Sequence, residues 1–270
     1  MEKDKMIDSH CHLEWRSYDD DRDSVVGRCR KELKAVVSSC SRPWDFDKAL
    51  AIAEKHSGFV FITAGFHPEF MKDVSAEAKA EYIKKIIANK ARLVGIGEIG
   101  LDYDWVKEPG QQEASRRLFA EMLGLAKELD LPVVIHSRAS HQDVLDILER
   151  HGPAKAYLHM WGGHQEGLMK RVLAAGYYVG VNTIVFTSKG YRKVVRDTPL
   201  ERLLLETDAP WLSLKREGEA WKIDPKARNE PTSIRMVAEK VAEIKGLPFG
   251  EIWKACGENA VRFFGLSIKG

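Results

Sequence analysis

Two histidines near the start of the chain have the spacing of metal ligands. His10 and His12 follow the apolar pair Met6-Ile7 and are separated by a single residue. Residues i and i+2 of an extended segment point to the same side, so these two imidazoles converge on one point. Neutral imidazole is a common ligand of divalent metals. The pair therefore predicts a metal site at the end of a first strand.

More side chains that bind metals follow later strand-like runs of the sequence. Four of them stand at the ends of such runs: Glu98, His136, His159 and Asp208. A single catalytic zinc takes about three protein ligands and keeps an open position, so the whole set is too large for one ion. It suits two ions about 3.5–4 Å apart that share a bridging ligand. Imidazole and carboxylate accept several metals, and we expect two divalent ions, Mg²⁺, Mn²⁺ or Zn²⁺.

Eight short apolar runs, rich in β-branched residues, alternate with segments of helical periodicity. The runs are Met6–Asp8, Lys34–Ser39, Phe59–Ala64, Arg92–Gly97, Leu131–His136, Lys155–His159, Tyr177–Val181 and Leu203–Thr207. The helical segments are Asp45–His56, Gln111–Glu128, Gln142–Arg150, Gly167–Ala174 and Pro231–Lys245. Nearly continuous apolar strands indicate a parallel sheet that is buried on both faces. Eight strand–helix units predict an α/β fold, a (β/α)8 TIM barrel with its metal site at the C-terminal face of the strands. A doubly wound open sheet is the alternative that periodicity leaves open.

Bulk properties limit the class of protein. The 270 residues fit one barrel, so we expect a single domain over residues 1–270, with its longest irregular stretch at Ala209–Glu230. The net charge of +2 gives no global attraction to nucleic acid, so binding of a polyanion requires a local patch. We expect no secretory signal and no membrane helix. The four cysteines lack CxxC spacing, so we expect reduced thiols in a cytoplasmic protein. A monomer is the default expectation.

Other features of the sequence have structural interpretations. The remaining histidines, expected at the surface, are His56, His141, His151 and His164. The stretch Gly95–Gly100 fits the pattern GxGxxG, but no helix is expected to open there and its carboxylate would repel pyrophosphate. Cys11 points away from the neighbouring histidines, so we expect it to pack in the core.

Several ordered motifs are shared with a known family. They are Asp8-Ser9-His10-Cys11-His12-Leu13, Gly65-Phe66-His67-Pro68, Gly97-Glu98-Ile99-Gly100-Leu101-Asp102, Val134-Ile135-His136-Ser137-Arg138, Leu205-Glu206-Thr207-Asp208-Ala209-Pro210 and Arg228-Asn229-Glu230-Pro231. Through them the chain resembles, over nearly its whole length, the TatD family of metal-dependent deoxyribonucleases within the amidohydrolase superfamily. One departure is Met160-Trp161-Gly162-Gly163, where the family usually has a phenylalanine-serine-glycine run. It puts the shape of the pocket and the substrate preference in question, but not metal binding.

The resemblance implies how the ligands divide between two ions. The implied assignments are His10, His12 and Asp208 for one ion, His136 and His159 for the other, and Glu98 as the bridge. His67 is implied to reach the substrate rather than the metals.

The chemistry expected from these residues is metal-assisted hydrolysis of a phosphodiester, with DNA as the expected substrate. Asp208 orients the attacking water and accepts its proton, and Glu98 is the second catalytic carboxylate. Arg138 stabilises the negative charge of the transition state, and His67 donates to a phosphate oxygen. A structural salt bridge is the other interpretation of Arg138. Glu206 either orients a ligand or belongs to a buried structural pair.

The stretch Ala209–Glu230 also suits a polyanion. Its cations, interleaved with Trp211 and Trp221, are Lys215, Arg216, Lys222, Lys226 and Arg228. Cations contact phosphates and aromatic faces stack on bases, although a solvated loop has the same composition. A pocket at a barrel mouth admits a single strand or a frayed end more easily than a duplex, which predicts exonucleolytic cleavage. The alternatives are an amidohydrolase acting on C–N, ester or lactone bonds of a small anionic substrate, and a non-catalytic binding protein.

Overall fold

Eight parallel strands follow one another around a single sheet in chain order. A computed structural model describes residues 6–268, apart from the side chains of residues 72 and 73. The strands are β1 (Met6–Cys11), β2 (Leu33–Cys40), β3 (Val60–Ala64), β4 (Leu93–Asp102), β5 (Val133–Arg138), β6 (Ala156–Leu158), β7 (Tyr178–Val181) and β8 (Leu203–Leu205). Each strand pairs in parallel with the next, from β1 to β8. This is the (β/α)8 barrel that the sequence predicts, and the doubly wound alternative is wrong.

Helices alternate with these strands. They are α1 (Arg22–Glu32), α2 (Phe46–Lys55), α3 (Ala76–Ala88), α4 (Pro109–Leu129), α5 (His141–His151), α6 (Glu166–Ala174), α7 (Lys189–Asp197), α8 (Ile234–Lys245) and α9 (Phe249–Phe264). The five helical segments predicted from periodicity match α2, α4, α5, α6 and α8 within a few residues at each end. The first three residues predicted for α8 instead form a 3-10 turn, Pro231–Ser233. Across residues 6–268, no helix has the length and apolarity needed to cross a membrane.

Two expectations about individual segments are wrong. Strand β4 continues through Asp102, so Glu98 lies inside the strand rather than at its end. The glycine-rich stretch is therefore strand, and no helix opens there, as expected. The stretch Ala209–Glu230 is not wholly irregular, because it contains an antiparallel hairpin of β9 (Leu214–Glu217) and β10 (Ala220–Ile223).

Backbone and side-chain hydrogen bonds join the two ends of the sheet. The N–H of Asp208 donates to the carbonyl of His10 at 3.0 Å, and the N–H of His12 donates to the carbonyl of Ala209 at 2.7 Å. The Thr207 hydroxyl donates to Oδ2 of Asp8 at 2.6 Å. The residues after β8 are thus fixed against β1, and this closure brings Asp208 beside the two N-terminal histidines.

The apolar side chains form two layers. An outer layer lies between the sheet and the helices, and it includes Cys11, as expected. An inner cluster takes apolar side chains from all eight strands and also contains Phe263 and Phe264 at the end of α9. The four cysteines are free and buried. Apolar side chains fill the barrel interior, and the polar residues lie at the C-terminal face of the strands.

Candidate metal centre

The barrel brings the expected ligands together in one cavity. Its lining includes His12, Glu98, His136, His159, Asp208, His67 and Arg138, and its volume is about 410 Å³. His10 is fully buried against the stacked ring of His159, with the ring centroids 3.7 Å apart. Each of these side chains comes from a strand or from the residues that follow it, at the C-terminal face of the barrel. That face carries the active site in enzymes of this architecture.

Four ligand-type atoms surround a first position. Nε2 of His10 lies 3.0 Å from Nε2 of His12. Oδ1 of Asp208 is 3.5 Å from both nitrogens. Oε2 of Glu98 is 3.7 Å from the His10 nitrogen and 3.8 Å from the His12 nitrogen. Ligands that each stand about 2.0–2.2 Å from a common ion have separations of this size, so the four atoms fit one divalent ion.

The other oxygen of Glu98 faces a second group. Oε1 lies 2.8 Å from Nδ1 of His136 and 3.7 Å from Nε2 of His159. Nε2 of His67 is 3.6 Å from the same oxygen and 3.3 Å from Nδ1 of His136. One carboxylate thus presents one oxygen to each of two clusters, which is the arrangement that a bridging ligand requires. His67 lies as close to the second cluster as the expected ligands do, and its assignment to the substrate stays a prediction.

Three of these histidines have a carboxylate at their outer nitrogen. Nδ1 of His12 is 3.3 Å from Glu14 Oε1. Nε2 of His136 is 2.9 Å from Asp102 Oδ2, and Nδ1 of His159 is 2.8 Å from Glu206 Oε2. Such carboxylates fix the tautomer and the ring orientation of metal-binding histidines.

The sequence had left the role of Glu206 open, and the structure places it against His159. Its carboxylate also accepts from the N–H of Met160 and from the side chain of Asn182, each at 3.0 Å. Glu14 and Asp102 received no role from the sequence. Glu14 stands two residues after His12, and Asp102 ends the motif that contains Glu98. Their closeness in sequence to expected ligands could have identified them as partners of those ligands.

The buried ionisable groups of the centre are carboxyl groups and histidines. The buried carboxylic acids are Asp8, Glu14, Glu98, Asp102, Glu206 and Asp208, and the buried histidines are His10, His12, His67, His136 and His159. No lysine or arginine is buried in the part of the chain that the structure describes. Buried carboxylates are stable only with partners of opposite charge or strong hydrogen-bond donors. The donor set and its charge therefore fit divalent cations.

The pKa values of the histidines respond to this environment. Burial lowers the pKa of His67 to about 3, with the neighbouring His136 contributing in the same direction. Burial opposes protonation of His136 too, but hydrogen bonds to Asp102 and Glu98 raise its pKa to about 9. Burial also opposes protonation of His159, but Glu206, Glu98 and Asp208 together raise its pKa to about 9. Without a metal, protonated imidazoles compensate the carboxylates.

Backbone geometry allows β4 and β5 to approach at the centre. Gly100 has a φ of +143°, and a Cβ at this position would collide with the carbonyl oxygen of His136. Only glycine fits there. Gly100 is thus required where β4 passes closely beside His136 on β5.

At the rim of the cavity, Arg138 is half-exposed and its Nε lies 2.9 Å from Oδ2 of Asp104. Both interpretations of this residue are compatible with that position, and substrate binding stays a prediction. Cations of the hairpin region have acidic partners within the chain: Lys215 and Lys222 contact Glu217, and Arg228 contacts Asp21.

Three of the four histidines expected at the surface, His56, His141 and His151, are only partly exposed. In His141, Nδ1 lies 2.7 Å from the Ser137 hydroxyl and the ring centroid is 4.5 Å from that of Trp161. Burial lowers its pKa to about 4, and His136 and His164 contribute in the same direction. His164 is exposed, as expected. The departure from the family motif after His159 supplies the tryptophan that covers His141.

A parallel (β/α)8 barrel with histidines and carboxylates gathered at its C-terminal face defines a metal-dependent hydrolase. Residues 7–265 match the family model described as TatD related DNase, and the chain belongs to that family. It is 31% identical over 268 residues to the human protein named Deoxyribonuclease TATDN3, covering 96% of this chain and 94% of the relative.

Two further comparisons agree with this assignment. The 3'-5' ssDNA/RNA exonuclease TatD of Erwinia tasmaniensis is 32% identical over 267 residues, covering 97% of this chain and all of the relative. The crystal structure of the TatD homolog YJJV from Escherichia coli K12 superposes with a TM-score of 0.84 at 27% identity, covering 96% of this chain and 98% of that one. The family membership that the motifs indicated is confirmed.

Proposed function

We propose that this chain is a phosphodiesterase that cleaves DNA exonucleolytically, from single strands or frayed ends, with two divalent ions. The observation that carries the proposal is the position of Glu98, whose two oxygens face two separate clusters of ligand atoms. The names of the relatives as deoxyribonuclease and as ssDNA/RNA exonuclease support the substrate class. These names favour phosphodiesters over the amides and lactones considered from the sequence.

The proposed ligands are those implied by the family resemblance. They are His10, His12 and Asp208 for one ion, His136 and His159 for the other, and Glu98 for both. Bound divalent ions supply a water of lowered pKa and neutralise the charge of the phosphate oxygens. Mg²⁺, Mn²⁺ and Zn²⁺ are the candidates, because imidazole and carboxylate accept all three.

The protein's own groups orient the reactants. Burial raises the pKa of Asp208, but hydrogen bonds with His10 and His12 more than offset that effect and hold the pKa well below its usual range. The carboxylate is therefore ionised at neutral pH and accepts a hydrogen bond from the attacking water, which aligns that water for attack at phosphorus. His67 and Arg138 are proposed to donate to the non-bridging phosphate oxygens, where negative charge develops.

The test is hydrolysis of a short, end-labelled single-stranded DNA by metal-stripped protein to which Mg²⁺, Mn²⁺ or Zn²⁺ is returned. We expect shortening from one end that depends on the ion and is reduced at least about a hundredfold in Asp208→Asn, the loss typical for a catalytic acid–base group. Asp47→Asn, at an exposed carboxylate outside the centre, is the matched control and should retain wild-type activity. Bound metal without cleavage, together with turnover of a lactone or cyclic amide, would replace the proposal.

Metal content tests the number of ions separately. Wild-type protein should bind two ions per chain, and His136→Ala should lose one of them while its circular dichroism spectrum is unchanged. One ion in the wild-type protein would remove the binuclear arrangement.

The single domain over residues 1–270, the monomeric state and the cytoplasmic location stay predictions. Light scattering after size exclusion checks the monomer.

A further inference from the structure

Large aromatic side chains are exposed around the mouth of the active-site cavity. In the part of the chain that the structure describes, four large apolar residues are exposed: Trp44 at 54%, Ile87 at 43%, Trp105 at 59% and Trp211 at 39%. Three of these four are tryptophans. Trp105 and Trp211 line the cavity, together with the half-buried Trp15 and Phe70. The exposure is thus concentrated beside the metal centre.

Contacts link four of these rings, those of Trp211, Trp15, Trp44 and Phe70, while Trp105 shares the cavity lining with them. Trp211 packs edge-on against His12 and against Trp15, with both centroid distances 4.8 Å. The Arg42 guanidinium lies 3.7 Å above the Trp15 ring. It is also 5.7 Å from the Trp44 ring.

Phe70, which also lines the active-site cavity, adjoins Trp44 and Arg42. Its ring lies 5.8 Å from that of Trp44 and 5.6 Å from the Arg42 guanidinium. The aromatic strip is defined as Trp211, Trp15, Trp44, Phe70 and Trp105. It begins in contact with a histidine of the centre.

A second cavity extends the strip outward. It has a volume of about 500 Å³ and shares Glu69, Phe70 and Trp105 with the active-site cavity. The remaining lining includes Met71, Val106 and Ala114. The two cavities therefore form a groove that leaves the metal centre between the residues after β3 and those after β4.

Packing in the hydrophobic core does not explain why these tryptophans are exposed. A tryptophan contributes to stability mainly through the large apolar area that it buries, and Trp44 and Trp105 leave more than half of theirs in water. Apolar surface concentrated at a cavity mouth marks a binding site. Arg42 contacts Asp45, so its charge is already matched, and its guanidinium packs on the face of the Trp15 ring.

We propose that the aromatic strip is a stacking platform for the bases of single-stranded nucleic acid, with Trp44 and Trp105 as its outer contacts. This rests on the proposed function, since it assumes that the substrate of the centre is a nucleic acid. A ring face accepts any base, so the strip gives affinity without reading sequence. Paired bases in a duplex do not expose their faces, so the strip selects single strands.

The test compares two oligomers of equal length and charge. One is a phosphorothioate oligothymidylate, which resists cleavage, and the other has the same backbone without bases. Fluorescence anisotropy gives Kd for each oligomer with metal-loaded wild type, Trp44→Ala, Trp105→Ala and the control Ile87→Ala, which changes another exposed apolar residue, on α3. Stacking contributes about 1–3 kcal/mol per base, so each tryptophan variant should weaken binding of the base-bearing oligomer about 5- to 150-fold. Binding of the base-free oligomer should not change.

The possible results separate this inference from the proposed function. Equal affinity of the wild type for both oligomers, or equal losses on both in the tryptophan variants, would overturn the stacking role. Cleavage of an ordinary base-free phosphodiester oligomer by wild type would then still support the phosphodiesterase. Conversely, base-dependent binding by a protein that cleaves no phosphodiester would leave the strip in place and remove the nuclease.

Discussion

Asp102 connects the metal centre to the rim of the cavity through its two carboxylate oxygens. Oδ2 lies 2.9 Å from Nε2 of His136, whose other nitrogen faces Glu98. Oδ1 accepts from the N–H groups of Asp104 at 2.9 Å and Trp105 at 3.0 Å. One buried side chain thus orients a proposed ligand and also fixes the turn that carries an exposed tryptophan.

Replacing Asp102 by asparagine should weaken the centre without unfolding the loop. Asparagine keeps an oxygen for the two backbone donors, but its amide group presents hydrogens to Nε2 of His136 and favours the wrong tautomer. Loss of such an outer carboxylate costs about 10- to 100-fold in metal affinity or activity. Competition with a chromogenic chelator measures the affinity. Asp102→Asn with wild-type metal affinity and wild-type turnover would show that the contact has no such role.

Metal removal should lower the thermal stability of the protein. The buried carboxylates outnumber the buried histidines, so an ion that binds the folded state alone offsets part of the repulsion among them. Scanning calorimetry with and without a chelator should give a higher Tm with metal, rising with its concentration. His136→Ala should show a smaller rise. If Tm is independent of metal while two ions are bound, the ions bind the unfolded chain equally well.

Two glycine substitutions should act in opposite directions. Gly100→Ala places a methyl group against the His136 carbonyl at a φ of +143°, so the free energy of unfolding should fall by about 3 kcal/mol or more. Gly124 is an exposed glycine inside α4 with open space around its Cα, so Gly124→Ala should add about 0.5–1 kcal/mol through helix propensity. Urea unfolding measures both. Equal effects in the two variants would mean that the close contact at Gly100 relaxes freely.

Burial of His141 should make stability depend on pH below neutrality. Its pKa is lowered from 6.5 to about 4, so between these values the unfolded chain binds a proton that the folded chain does not. The stability from burying neutral His141 is complete above about pH 6.5 and is lost as the pH falls toward 4. The loss from this residue is at most about 3 kcal/mol. Urea unfolding of metal-free protein should therefore show a shallower pH dependence for His141→Gln, and identical slopes would contradict the assignment.

The sequence predicted the barrel because its strands are buried on both faces and therefore consist of short apolar runs. It predicted the cavity residues because histidines and carboxylates at the ends of parallel strands meet at one edge. It delimited no segment for α1, α3, α7 or α9, and in α1 the residues Arg22–Glu32 are mostly polar and give little apolar periodicity.

The burial of His141 and the extent of β4 were also outside the reach of sequence patterns. The first depends on contact with Trp161, which lies on a different strand–helix unit. The second depends on pairing of Gly100, Leu101 and Asp102 with β5. The aromatic strip is likewise a tertiary feature, because its five rings follow five different strands.

The closure between the residues after β8 and β1 sets the order in which this enzyme can become active. Asp8 and Thr207 are 199 positions apart in the chain, yet the hydrogen bond between them and the backbone bond from Asp208 to His10 together hold Asp208 beside His10. Contacts between such distant segments cost more loop entropy than local ones and form late. During synthesis the growing chain therefore lacks a complete centre until β8 and the residues that follow it are released. A potential nuclease is thus inert while it is being made.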